Sequence, residues 1–388
     1  MPNKRANNEG SIRQRPDGRW EARFTVGRDP GTGKQVRKSI YGDTQEEVRK
    51  ALQKACTEVD EGTYMEPSKI TAGQWFDMWK DEYLGGVKSA TVVSYSQHIK
   101  NHLKPAFGSV KLLALTTPMI QKLYNTMQKE GRSPKTIKNL HGVVHSSLKQ
   151  AVRLGYIRVN PSDNCILPRI EKAAIQPLDS PEMDRFLKVI KDSPYEALFK
   201  VDMFTGMRQG ELLGLTWDCV DFEQGRIMLT KQLCRPRVKG EKHHYGTLKN
   251  DKPRVITPAS YVMDVLKAHR RAQAAMRLKA GAAWNEGDFP GLVFTNEIGG
   301  HLSYAVVYSH FRKNLAKAGI EPKRFHDLRH TYAVSSLRSG DDIKTVQENL
   351  GHHTAAFTLD QYGHVTDTMK KESAKRMDAF INGLENSK

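Results

Sequence analysis

Cysteine is scarce and scattered in this chain. The 388 residues hold four, Cys56, Cys165, Cys219 and Cys234, with no C-x-x-C pair, so neither a thiolate zinc site nor a thiol-exchange motif is available. Free, mostly buried thiols are expected instead. Long apolar runs are missing too, since nothing approaches the roughly 20 residues that cross a bilayer. The start, Met1-Pro-Asn-Lys-Arg, carries charge with no apolar segment behind it, so no signal peptide is expected. A cytoplasmic protein that stays off membranes follows. Acids are in deficit, 43 against 61 Lys and Arg for a net charge of +18. Such a balance points to a polyanionic partner, nucleic acid first. Aromatics stand at an ordinary 8%, which argues for packed cores over a disordered basic chain. The length exceeds one ordinary core, so two or three domains are expected.

Residues 1–62 read as a small three-stranded sheet plus a helix. Ser11 to Arg15, a Pro16-Asp17-Gly18 turn, and Arg19 to Val26 form a hairpin, with turn residues that supply the required backbone angles. Trp20, Ala22, Phe24 and Val26 alternate with Arg19, Glu21, Arg23 and Thr25, placing an apolar set on one face and a mostly basic set on the other. A third strand is predicted from Lys34 to Tyr41. Thr44 and Glu47 then make a capping box for a helix whose Val48, Leu52, Ala55 and Val59 cover the apolar face. Residues 1–41 hold ten Lys/Arg against four Asp/Glu. The basic face, with Arg13, Arg15, Arg19 and Arg23, is a candidate DNA surface.

Helical spacing takes over in residues 70–158. Trp75, Phe76 and Trp79 mark one helix, Val93 to Leu103 a second, Pro118 to Met127 a third and Pro134 to Leu154 a fourth. Arg132, Lys135 and Lys138 are candidate phosphate contacts of this all-helical module. Residues 159–177 carry three prolines from Asn160 onward and little periodicity, which predicts an exposed linker. The last domain, 178–388, is mainly helical and opens with Ser180 as a cap and Pro181 at the first helical position. Strands are predicted at Arg226–Leu229, near Lys249–Thr257 and at Leu292–Thr295. Met369 to Ile381 reads as a helix that docks on a neighbouring molecule or on its own body.

The unusual residues concentrate in this last domain. Arg324-Phe-His-Asp-Leu-Arg-His-Thr-Tyr332 places His326, Arg329 and His330 on adjoining turns of one helix side, a compact site for an anion. Thr205-Gly-Met-Arg-Gln-Gly-Glu-Leu-Leu-Gly214 anchors Leu212 and Leu215 in a core and frees Arg208, whose alternative is a structural pair with Glu211. Two further pieces are Leu350-Gly-His-His353 and Asp360-Gln-Tyr-Gly363. Two arginines can grip the nonbridging oxygens of a phosphodiester as charge grows on them. A phenol, with an ordinary pKa near 10, must lose its proton to attack.

Arg208, Lys249, His326-x-x-Arg329, His352 and Tyr362, in this order, resemble the tyrosine recombinases, specifically the integrases of temperate phages and conjugative transposons. The resemblance spans nearly the whole chain. It implies a multidomain α+β protein: an N-terminal arm-site binding domain (1–62), a helical core-site binding domain (70–158), a linker (159–177) and a catalytic domain of tyrosine recombinase type (178–388), clamped around DNA. It implies a site-specific recombinase that integrates and excises a mobile element through a 3′-phosphotyrosine intermediate. Tyr362 is then the nucleophile, Arg208 and Arg329 hold the phosphate, His326 is the base, His352 bonds the phosphate, and Lys249 protonates the leaving 5′-hydroxyl. Asn250 departs from the usual Thr of the family, which leaves Lys252 as a rival to Lys249. Neither ATP nor metal is required, because the tyrosine ester conserves the bond energy. Double-stranded attachment sites of core and arm type, a tetramer on DNA, an excision factor and a host DNA-bending protein are the implied partners.

Other readings stay open at this point. A type IB topoisomerase uses the same chemistry without site choice, and a regulator with decayed boxes would bind DNA without cutting it. A metal-dependent nuclease would use His330 beside His326 as ligands, although no Glu follows His326 as in zinc proteases. The metal-free reading has His330 supporting the site by a hydrogen bond. Tyr332 is expected in the core, and His353 and His364 at the surface or behind the site.

Overall fold

The computed structural model describes residues 10–62, 64, 69–171, 175–237, 240–248, 251–352, 354–362 and 366–385. The chain divides into two units, Met1–Glu171 and Lys172–Lys388. No helix among the described residues is long and apolar enough to cross a membrane.

In the first unit the predicted strands form an antiparallel sheet in the order β1 (Ser11–Gln14), β2 (Trp20–Arg28), β3 (Gln35–Gly42). Ile12 stands opposite Ala22 and Ala22 opposite Ile40, so the apolar set shares one face. Helix α1 (Gln45–Asp60) packs Val48, Leu52 and Ala55 onto Ala22 and Phe24. Thr44 accepts from the Glu47 amide, but the Glu47 carboxylate reaches the Asp43 amide rather than that of Thr44, so half of the expected box forms. The other sheet face is not simply basic. Glu21 is buried at its centre, gripped by Arg13 at 2.7 Å and Arg23 at 2.9 Å, with Ser39 donating at 3.0 Å.

The helical module contains α2 (Ala72–Glu82), α3 (Ser89–His98), a π-helical turn (Ile99–Leu103) running into α4 (Lys104–Phe107), α5 (Thr117–Lys129) and α6 (Pro134–Arg153). The second predicted helix is therefore longer at both ends. Trp75, Phe76, Ile120, Leu140 and Leu148 lie in its core, and the buried Trp75 indole N–H donates to Ser147 Oγ at 2.9 Å. Part of the expected exposed linker is packed. Ser162 is buried, Pro161 O accepts from Thr117 Oγ1 at 2.6 Å, and the Ile166 amide donates to Gln121 at 2.8 Å. A proline-rich composition signalled irregular backbone correctly, yet the carbonyls and amides freed by irregularity found side-chain partners on α5.

The second unit opens with α7 (Ser180–Ile190), capped one residue earlier than expected. Asp179 accepts from the Glu182 amide while Glu182 accepts from Asp179's own amide, a reciprocal pair that Ser180 cannot make with Met183. There follow α8 (Glu196–Thr205), α9 (Gln209–Leu213), β4 (Val220–Asp221), β5 (Arg226–Leu229), β6 (Gln232–Cys234), β7 (His244–Gly246), β8 (Arg254–Ile256), α10 (Ser260–Ala280), α11 (Tyr304–Lys317), α12 (Asp327–Arg338), α13 (Ile343–Leu350), α14 (Ala355–Tyr362) and α15 (Thr366–Glu385). The β5–β8 pair was expected, within a three-stranded sheet ordered β4-β5-β8. The β6–β7 hairpin was not, and the strand expected at 292–295 is reduced to single bridges, Thr216 to Leu292 and Thr295 to His301. None of the four cysteines is in a disulfide, and all are half-buried, less enclosed than expected.

Candidate active site

Each motif box places its candidate residue through a distinct local device. Helix α8 ends at Gly206, whose φ of +62° reverses the chain. A side chain there would strike the Tyr332 ring at 2.6 Å and Leu350 at 2.8 Å, so this glycine serves both the turn and the packing. The reversal delivers Arg208 in extended backbone just before α9. Leu212 and Leu215 are buried, as expected of its anchors.

The Leu-Gly-His box is a helix terminator. Leu350 is buried at the end of α13, Gly351 turns left-handed at φ +61°, and the amides of Gly351 and His352 donate back to Glu348 and Gln347 at 2.9 and 3.0 Å. Such an ending leaves the last helical carbonyls seeking donors. Three successive carbonyls receive three different arginines. Arg254 Nε donates to Asn349 O at 2.9 Å, Arg329 to Leu350 O, and Arg208 to Gly351 O at 3.0 Å. The negative end of the helix thus holds a cluster of guanidiniums together.

Glu211 ties two of them further. It is fully buried, accepts from Arg208 at 2.8 Å, and takes a two-pronged contact from Arg254 at 2.9 and 2.6 Å. Burial pushes its pKa up, but the hydrogen bonds and charges of Arg254 and then Arg208 outweigh that and hold it down to about 2. Arg329 is buried and also donates to Gly206 O at 2.7 Å. Burial, then Arg208, lowers its pKa to about 9, which leaves it charged at neutral pH.

The histidines divide by position. His326 keeps an exposed edge at the start of α12. Loss of water on its inner side, then Arg329, His330 and Arg208, depress its pKa to about 4. His352 is half-buried with Nδ1 2.9 Å from Thr358 Oγ1, and burial followed by Arg329 and Arg208 depresses it to about 3. Both are neutral at pH 7. His330, not His326, touches the phenol, with Nδ1 2.6 Å from Tyr362 Oη. Tyr362 closes α14 and is 1% exposed within a cluster of Ala333, Val334, Leu337, Val346 and Leu350.

The structure therefore brings Arg208, His326, Arg329, His352 and Tyr362 into one neighbourhood through shared partners. Lys249, Asn250, His353 and His364 lie outside the described residues, while Lys252 is exposed before β8. Tyr332 is half-buried, takes a hydrogen bond from Asn349 at 3.0 Å and packs on Gly206. Arg13, Arg19 and Arg23 are exposed and Arg15 half-buried in the first unit, where Arg132, Lys135 and Lys138 are exposed as well. Arg254 escaped sequence reading. Its position just after the Lys249 segment, on a strand of otherwise apolar residues, was the available signal.

The phage integrase family matches residues 176–369, and the phage integrase N-terminal SAM-like domain matches residues 71–128. A XerC-like tyrosine recombinase of Caldanaerobacter subterraneus is 31% identical over 93% of this chain and 96% of its own length. The chain belongs to the phage integrase family of tyrosine recombinases. This recombinase shares its fold with the Tn1549 transposon integrase solved with transposon right-end DNA, at a TM-score of 0.68 and 21% identity, covering 80% of this chain and all of the other. The lambda integrase tetramer on a Holliday junction overlays at 0.57 and 18% identity, covering 93% and 97%. The enzyme is a site-specific recombinase of mobile elements, one that breaks and rejoins DNA strands.

Proposed function

We propose that Tyr362 attacks the scissile phosphate and forms a 3′-phosphotyrosine link, in a reaction that integrates and excises the element. Arg208 and Arg329 hold the nonbridging oxygens, with donors left over after their carbonyl and Glu211 contacts. His326 and His352, uncharged beforehand, gain or share protons as the phosphate arrives, since an anion favours their protonated forms. Lys249 gives the departing 5′-oxygen its proton, with Lys252 as the alternative donor. No step needs a metal or a nucleotide.

The observation that carries this reading is the triple capping of α13, which fixes both phosphate-binding arginines beside the residue that precedes His352. Arg13, Arg15, Arg19 and Arg23 serve arm-type sites within an N-terminal domain of residues 1–62. Arg132, Lys135 and Lys138 serve core-type sites within residues 70–158, and residues 178–388 form the catalytic domain. The working form is a tetramer on two duplexes. Met377, Phe380, Ile381 and Leu384 make an exposed apolar stripe on α15 at helical spacing, suited to docking on a neighbouring protomer. An excision factor and a host DNA-bending protein set direction, in the cytoplasm.

A duplex made from the element's own end sequence, nicked near the cut, traps the adduct. Wild-type protein in excess EDTA should form it and Tyr362→Phe should not. An adduct from Tyr362→Phe removes Tyr362 as nucleophile, and dependence on a divalent ion removes the metal-free chemistry.

A further inference from the structure

We propose that His330 is the group that takes the phenolic proton of Tyr362 during strand cleavage. The inference rests on Tyr362 as the nucleophile and moves the base from His326 to the next turn of the same helix. His330 Nδ1 lies 2.6 Å from Tyr362 Oη, with the ring planes at 60°. His326 stands perpendicular to His330 at 5.1 Å between centroids, on the exposed side and in the field of Arg329 and Arg208. Geometry therefore gives the two histidines different neighbours: His326 faces the arginines and solvent, His330 faces the phenol.

Protonation states agree. Burial raises the Tyr362 pKa to about 12, against the pull of Arg329 and with a push from Asp327, so the resting group is a phenol that donates. Burial also lowers His330, opposed by Asp327 and aided by Arg324 and Arg329. A phenol that donates pairs with an imidazole that accepts at Nδ1, which assigns the ring's own proton to Nε2. Arg324 is itself tied to Asp327 at 2.7 Å. Among the described residues, the charged and titratable groups around His330 are thus Asp327, Arg324, Arg329, His326 and Tyr362.

As the bond from Tyr362 Oη to phosphorus forms, the O–H bond breaks and its proton passes to the Nδ1 lone pair. The bond from phosphorus to the 5′-oxygen breaks, and that oxygen takes its proton from the lysine. In religation the incoming 5′-hydroxyl returns a proton to the lysine, and the released phenolate recovers its own from the His330 imidazolium. Protons balance over the cycle, and Arg329, close to both partners, favours the phenolate as it forms.

The test measures single-turnover adduct formation by the full chain on the nicked end-sequence duplex across pH, with and without added imidazole. His330→Ala should cleave about 100-fold or more slowly, the usual range for losing a general base. Imidazole should restore about tenfold or more of that loss, because it can occupy the space and accept the proton. His330→Gln, which keeps a hydrogen-bond acceptor but cannot carry the proton, should be slow and unrescued, with DNA affinity held in both variants. The acid limb of the wild-type pH profile should vanish in both. A rate for His330→Ala within about threefold of wild type overturns the proposal. So does a slow His330→Ala that imidazole leaves unchanged, or a His330→Gln that cleaves normally. Tyr362→Phe run alongside separates the claims: an adduct there defeats the nucleophile reading, while a silent Tyr362→Phe beside an active His330→Ala defeats only the role of His330.

Discussion

Two glutamates in this recombinase sit under arginines, and they do opposite things. Glu21, on the sheet of the first unit, is held down to about 2 by its hydrogen bond from Arg23, against desolvation, with Arg13 and Ser39 adding to it. Its arginines remain about half exposed, 59% for Arg13 and 49% for Arg23. Glu211 in the second unit carries the same depressed value, but Arg208 and Arg254 are 19% and 11% exposed and each is also fixed to a helix-end carbonyl. One glutamate thus spaces arginines on an open surface, where they are free to adjust. The other locks them into a preformed site, which is what charge stabilisation at a reacting phosphate needs.

The sharpest break in this comparison is Glu211→Ala. It strands two enclosed arginines, which costs about 3–5 kcal/mol, and should abolish adduct formation while lowering the melting temperature. Normal cleavage by Glu211→Ala would erase the distinction. Next comes Arg254→Ala. Losing both its Glu211 contact and the Asn349 cap lets Arg208 drift, and a displacement of about 1 Å is enough to slow cleavage about 100-fold. Arg254→Lys should recover little, because a point charge cannot make the two-pronged contact.

Acid should damage the second site in a defined direction. Glu211's value lies below the ordinary 4.5, so its contribution is complete above that and is lost as pH falls toward 2. His326 and His352 lie below the ordinary 6.5, so the folded state resists their protonation and loses stability as pH falls from 6.5 toward 4 and 3. The melting temperature should drop between pH 7.5 and about 5, and His352→Gln should flatten that drop. A melting temperature that rises over the same interval would contradict the assigned shifts.

Glu21→Gln tests the open cluster. It should weaken binding to arm-type DNA less than about tenfold, because its two arginines stay half exposed and solvated, and leave cleavage of a core-type nicked duplex unchanged. The smallest effect belongs to Asp202, buried on α8, its pKa raised well above the ordinary range by burial against the pull of Arg329. Because burial disfavours its charged form, Asp202→Asn should leave the cleavage rate unchanged.

Legibility in the sequence followed the range of the interactions. The first hairpin, α1 and the helices of residues 70–158 were readable because period and turn chemistry act over a few residues. Asp179 displaced Ser180 as the cap because two good caps stood side by side and only the reciprocal bond with Glu182 decides between them. The β6–β7 hairpin was hidden by its brevity, three residues a strand with polar residues in both. The motif boxes singled out Arg208, Arg329, His352 and Tyr362, which the fold gathers around the end of α13. Arg254 stayed silent because its partners, Glu211 and Asn349, are distant in sequence and one of them contributes only a carbonyl. His330 stood in plain view, but which of two histidines meets the phenol depends on how α14 lies against α12.

The most direct measurement is of which tyrosine bears the DNA. Mass spectrometry of peptides from the trapped adduct should find the nucleotide on the peptide that contains Tyr362. A nucleotide on Tyr332, or on any other tyrosine, would contradict it.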